Sequence, residues 1–151
     1  MRRVFLLLIL LTTFVASASA YAATALHVQE AWVQEAPPGA TVLAAYLVIA
    51  NPGAEAQTLV AVSSPDFAAV EIHTSQIVNG VASMTHLKGL SIPAQDRQVL
   101  APGGTHLMLM RPKHALHAGD RVRLRLQFSG SAQIDVTAKV MHGSDDVTHQ
   151  H

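Results

Sequence analysis

Hydrophobic and polar residues alternate along most of the chain after its first two dozen positions. Arg121, Arg123 and Arg125 interleave with Val122, Leu124 and Leu126, and His106, Met108 and Met110 interleave with Leu107 and Leu109. A period of two is the mark of a β-strand with one buried face, and no long stretch sustains the 3.6-residue period of a helix. The alternation predicts strands over residues 26–34, 42–50, 57–63, 69–76, 81–87, 97–100, 105–111, 121–128 and 133–140. Turn residues punctuate them at Pro37-Pro38-Gly39, Asn51-Pro52-Gly53, Asn79-Gly80, Pro102-Gly103-Gly104 and Ala118-Gly119-Asp120. Asn79-Gly80 suits a two-residue hairpin because both positions accept positive φ, so the strand bearing His73 is expected to pair with the strand bearing Met84 and His86. Many short strands at near-regular spacing predict an all-β Greek-key sandwich or small barrel.

The first twenty residues follow another pattern. Arg2 and Arg3 precede an apolar run over residues 4–11, and small residues follow, ending in Ala18-Ser19-Ala20. This is the pattern of a secretory signal peptide over residues 1–20, cleaved near Ala20. The apolar run is short for a membrane span, so no stable membrane insertion is expected after cleavage. The remainder divides into a sandwich domain over residues 21–140 and a polar tail over residues 141–151. Without Arg2 and Arg3, the ten Lys and Arg fall to eight against ten Asp and Glu, a balance that does not attract nucleic acid. The arginines at 121, 123 and 125 read as the solvated face of a half-buried strand.

Cysteine is absent. No disulfide supports the fold, no thiolate can bind metal or act as nucleophile, and no lipid can be attached in the manner of bacterial lipoproteins. A blue-copper electron-transfer centre needs a Cys ligand, and no G-x-S-x-G motif is present, so neither of these activities is expected and the chain reads as a non-enzyme. Any soft-metal chemistry falls to histidine and methionine.

Strand parity gathers such residues. Val70 and Ile72 fall on one face, leaving Glu71 and His73 on the other. Leu107 and Leu109 turn inward, leaving His106, Met108 and Met110 outward, and Met84 shares a face with His86. Thioethers are soft ligands that suit Cu(I), and imidazole suits both copper oxidation states. Methionine also forms no disulfides, which fits an oxidising compartment.

The spacing from His73 through Met84 and His106 to Met108 reads H-x10-M-x21-H-x-M. From the composition such a pattern arises by chance with a probability of roughly 10⁻³. It resembles the signature of the periplasmic copper chaperones called PCu(A)C. The likeness extends through Ala31-Trp32, Ala36-Pro37-Pro38-Gly39 and Ala44-Ala45-Tyr46-Leu47 to the run from Pro102 to Met110. It departs from the family where Thr74 follows His73, a place at which many members have Met. The resemblance implies a cupredoxin-like β-barrel in the periplasm, with one Cu(I) on His73, Met84, His106 and Met108. It further implies delivery of that copper to cytochrome oxidase assembly, through an oxidase subunit or another copper chaperone. His86 and Met110 share faces with these residues and are candidates for supporting or spare ligands. Trp32 is expected as a core anchor, and His114 and His117 on a loop surface.

The tail from Met141 to His151 holds three His, two Asp and one Met in eleven residues. It reads either as a solvated extension or as a secondary Cu(II) site on His142, His149 and His151, imidazole and carboxylate suiting Cu(II). Chaperone and copper-storage or tolerance roles use the same ligands. A non-metal β-sandwich stays open, and the nearly neutral surface favours a monomer.

Overall fold

The computed structural model describes residues 26–142; the leader at 1–20 and most of the tail, His149 and His151 included, lie outside the described residues. Ten strands follow one another: β1 (His27–Gln34), β2 (Val42–Asn51), β3 (Gln57–Ser63), β4 (Phe67–Val78), β5 (Val81–Leu87), β6 (Leu90–Ile92), β7 (Asp96–Leu100), β8 (Thr105–Pro112), β9 (Arg121–Phe128) and β10 (Gln133–Met141). Hydrogen bonding runs β5-β4-β8-β2-β1-β10-β9-β3-β6, with β7 paired to β2. This is the expected all-β sandwich. The nine expected strands are all present, and the additional β6 is three residues long, too short for alternation to reveal it. Among the described residues no helix is long and apolar enough to cross a membrane.

Parity builds the interior. Leu43, Ala45, Leu47 and Ile49 of β2 turn inward with Ile72 of β4 and Leu107 and Leu109 of β8. They join Leu59, Ile92, Val122, Leu124, Leu126, Phe128 and Val140 in one core cluster. The outward arginines of β9 stay exposed, and Arg125 makes a two-pronged ion pair with Asp135 at 2.7 and 2.9 Å. That pair holds the Asp135 carboxyl below its ordinary range. Among the described residues two polar side chains are buried, His106 and Asn51; Asn51 lies in the core, away from His106. Its amide shares its hydrogens among the carbonyls of Glu55, Ile92 and Pro93 at 2.8–3.2 Å and accepts from the Gly53 N–H, so its polarity is satisfied inside the core.

Two backbone features decide which side chains reach the outer face. Asn79 and Gly80 both take positive φ, 52° and 77°, and close the β4–β5 hairpin with Val78 opposite Val81. In β1 the register slips between Gln29 and Trp32, where Glu30 has φ 52°. Such a bulge inverts parity. Leu26 and Val28 pack inward before it, Ala31 and Val33 after it, so Trp32 is not the core anchor expected from its sequence. It stands half-buried on the outer face, its ring 4.6 Å from that of Tyr46.

Candidate metal centre

Three neighbouring strands carry the chemistry. β4 lies between β8 and β5, antiparallel to both. On its outer face His73 stands directly opposite His106 of β8 and directly opposite His86 of β5. The result is a row of three imidazoles, with ring centres 6.2 Å apart from His73 to His106 and 5.4 Å apart from His73 to His86.

The methionines flank this row. Met108 lies opposite Glu71, one step along β8 from His106 on the same face. Met84 lies opposite Ser75, one step along β5 from His86. Each is therefore a diagonal neighbour of His73, at roughly 7–8 Å between backbones, a distance that a long thioether side chain can span. Leu107 between His106 and Met108 is fully buried, which fixes the outward direction of both neighbours. The four expected ligands thus share one face. His73, His106 and Met108 are brought close, whereas Met84 stands on the far flank of His73, two strands from His106.

Hydrogen bonding prepares the rings. His73 donates from Nε2 to Oε2 of Glu71 at 2.9 Å, and its Nδ1 is buried without a hydrogen-bond partner. A carboxylate only accepts, so Nε2 carries the hydrogen and Nδ1 of the neutral ring keeps a free lone pair. His106 donates from Nδ1 to the Gly104 carbonyl at 3.0 Å, which leaves the lone pair on Nε2. A ring held at one nitrogen by an acceptor and open at the other is the usual arrangement of a metal-ligating histidine. An orphaned buried nitrogen costs stability in a purely structural role, so the lone pair on His73 fits a ligand. Among the described residues no three His, Asp or Glu side chains converge into a metal cage by themselves, so an ion held here draws on the thioethers.

Access is graded across the face. His106 is 7% exposed, Met108 half-buried and Met84 53% exposed, and β5 is the last strand on its side of the sheet. Met110, opposite Ala69, lies two residues further from the imidazole row. Register adds to what strand parity says of two residues. Parity places Glu71 on the face without giving it a role, and offers His86 as a supporting or spare ligand; the structure sets both beside His73. The hairpin turn held the signal for His86, because pairing Val78 with Val81 counts back to His73 opposite His86.

The other histidines lie elsewhere. His114 and His117 are exposed on the β8–β9 loop, as expected, near Asp66 (3.8 Å) and Asp120 (3.9 Å). His142 pairs with Glu35. Glu35, His117 and His142 line a cavity of about 610 Å³ together with Pro37, Leu43 and Leu116.

Residues 26–140 match the family described as "Putative lipoprotein LpqE-like", and the chain belongs to this LpqE-like family. "Putative lipoprotein Lxx21020" of Leifsonia xyli subsp. xyli (strain CTCB07) is 34% identical over 119 residues, covering 78% of this chain and 70% of that protein. Among solved structures, the copper-bound PCuAC domain from PmoF2 superposes with a TM-score of 0.67 at 22% identity, covering 81% of this chain and 97% of the domain. At that identity the likeness is one of fold, the cupredoxin-like sandwich. The solution structure of CuI-DR1885 from Deinococcus radiodurans has a TM-score of 0.63 at 28% identity, covering 85% of each chain. Its apo form has a TM-score of 0.61 at 27% identity and covers 95% of this chain and 98% of its own.

Proposed function

We propose that this chain carries a single Cu(I) ion on His73, Met84, His106 and Met108 and hands it to another protein. The observation that carries the reading is the β4–β8 register, which sets His73 against His106 with Met108 diagonal to His73. The free Nδ1 of His73 adds to it. Two imidazoles and two thioethers form a neutral, soft donor set that suits a d¹⁰ ion and works without cysteine. Structures of similar fold point the same way, since DR1885 was solved with Cu(I) and the PCuAC domain of PmoF2 with copper.

In this reading copper is cargo, and no step requires the protein to change it chemically. An exposed ligand such as Met84 suits a carrier, because an acceptor must reach the ion to exchange ligands. The recipient we infer is a copper site of cytochrome oxidase during its assembly, or another copper chaperone upstream of it. The setting we infer is the periplasm, reached through the leader at 1–20. The tail histidines His142, His149 and His151 are assigned a separate role in capturing Cu(II).

Anaerobic titration of the mature chain with Cu(I) against a chromophoric chelator tests the site. One tight equivalent in the wild type, weakened in both Met84→Ala and Met108→Ala, is expected. Equal binding in the wild type and both variants would sink the assignment. Mixing the loaded protein with the apo copper domain of an oxidase subunit then tests delivery: movement of the ion supports a chaperone, and retention supports storage.

A further inference from the structure

The imidazole row has a symmetry that the four-ligand assignment leaves unused. Two imidazoles bound to one ion at about 2 Å per metal–nitrogen bond place their ring centres roughly 5–6 Å apart. His73 lies within that range of His86, at 5.4 Å, and just beyond it from His106, at 6.2 Å. One ion cannot take all three rings as they stand. β5 and β8 flank β4 on opposite sides, two strand spacings or roughly 10 Å apart. Each flank offers the same pair of donors at the same spacing, Met84 and His86 on β5 and His106 and Met108 on β8. The flanks differ in access: His106 is buried and Met108 half-buried, whereas His86 and Met84 are exposed on the terminal strand.

We propose that His86, with His73 and Met84, forms a second, outward-facing donor set through which Cu(I) crosses β4 from the His106–Met108 flank to the exposed edge. This rests on the copper-carrying reading and gives it a direction. His73 is the shared ligand. His106 and Met108 leave the ion as His86 enters, while Met84 stays bound, belonging to the resting four-ligand set and to the outer set alike. Cu(I) has no strong geometric demand, so three donors hold it as the coordination changes. The ion stays Cu(I), neutral ligands replace neutral ligands, and no electron or proton is exchanged. At the β5 edge it stands where an acceptor can supply the next ligand.

A mutant cycle in Cu(I) competition titrations tests the proposal, using wild type, His86→Ala, His106→Ala and the double variant. Because His106 is buried, the cycle is repeated on Met108→Ala, which removes the other inner donor. His86→Ala alone is expected to stay within about threefold of wild type, since the inner set holds the resting ion. His106→Ala is expected to keep one weakened equivalent, and adding His86→Ala to weaken it by a further tenfold or so, the scale on which ligand-site losses are felt. The same is expected on Met108→Ala, and loading His106→Ala with Cu(I) is expected to shift the His86 ring resonances in NMR spectra. If His86→Ala adds nothing in either background and those resonances stay still, the outer set does not exist, although the four-ligand carrier stands. If the wild type takes up no Cu(I), the carrier reading and the outer set fall together.

Discussion

Two regions of the molecule each gather three imidazoles and at least one carboxylate, yet only one sets its rings on adjacent strands with thioethers beside them. Around His73, the rings form a row on adjacent strands, a single carboxylate steadies the central ring, one ring nitrogen is orphaned, and thioethers stand on both diagonals. Around the cavity at Glu35, His114, His117 and His142 each face a separate carboxylate, two of them on a loop, with no thioether among the lining residues. In the first region, strand pairing imposes the spacing of the donors and leaves lone pairs free. In the second, His114 and His117 are exposed on a loop, and no strand pairing sets the spacing of the rings. The contrast teaches that histidine count alone does not make a donor set: strand pairing holds the rings of the first region at a shared distance beside thioethers, and the second region has neither.

The hardest test of the contrast is to remove its rigid support. Leu107→Ala, at a fully buried position between His106 and Met108, is expected to cost about 2–5 kcal/mol of stability in denaturant unfolding. Leu116→Ala, at a half-buried loop position by the second region, is expected to cost clearly less. Equal costs would mean that the first region is no better supported than the second. Next in size, Met108→Ala is expected to weaken Cu(I) binding about 10–100-fold, while His117→Ala leaves it within about twofold. A loss in His117→Ala comparable to that in Met108→Ala would erase the distinction.

Glu71→Ala probes the hydrogen bond that keeps Nδ1 of His73 free. About tenfold weaker Cu(I) binding is expected, with Glu71→Gln closer to wild type because its amide oxygen still accepts the Nε2 hydrogen. Full affinity in Glu71→Ala would show that His73 needs no such support. The smallest effect is expected from a chain ending at His142. Its Cu(I) titration should overlay that of the full chain, with any loss confined to Cu(II) capacity measured by paramagnetic resonance. A weakened Cu(I) equivalent would bring residues 143–151 into the main site.

Local readings of the chain survived where local rules apply. Alternation along β8 and β9 put Leu107, Leu109, Val122 and Leu124 inside, as they are. The Asn79-Gly80 turn pairs β4 with β5, and through it His73 with His86. Trp32 departs from expectation because one extra residue at the β1 bulge inverts parity, and nothing in Gln29-Glu30-Ala31 announces a bulge.

The sequence by itself determined the all-β class, the faces on which His73, Met84, His106 and Met108 lie, and the chemical softness of the donor set. Those properties follow from period-two geometry and from the side chains themselves, which need no partner strand to be defined. Only the tertiary structure decided that β8, far along the chain from β4, lies beside it in the register that sets His106 against His73. It also decided that Met84 stands on the opposite flank and that Glu71 takes the Nε2 hydrogen. Register between distant strands is selected by the whole core at once, since a one-residue slip would turn Leu107 and Leu109 out to solvent and the ligands inward.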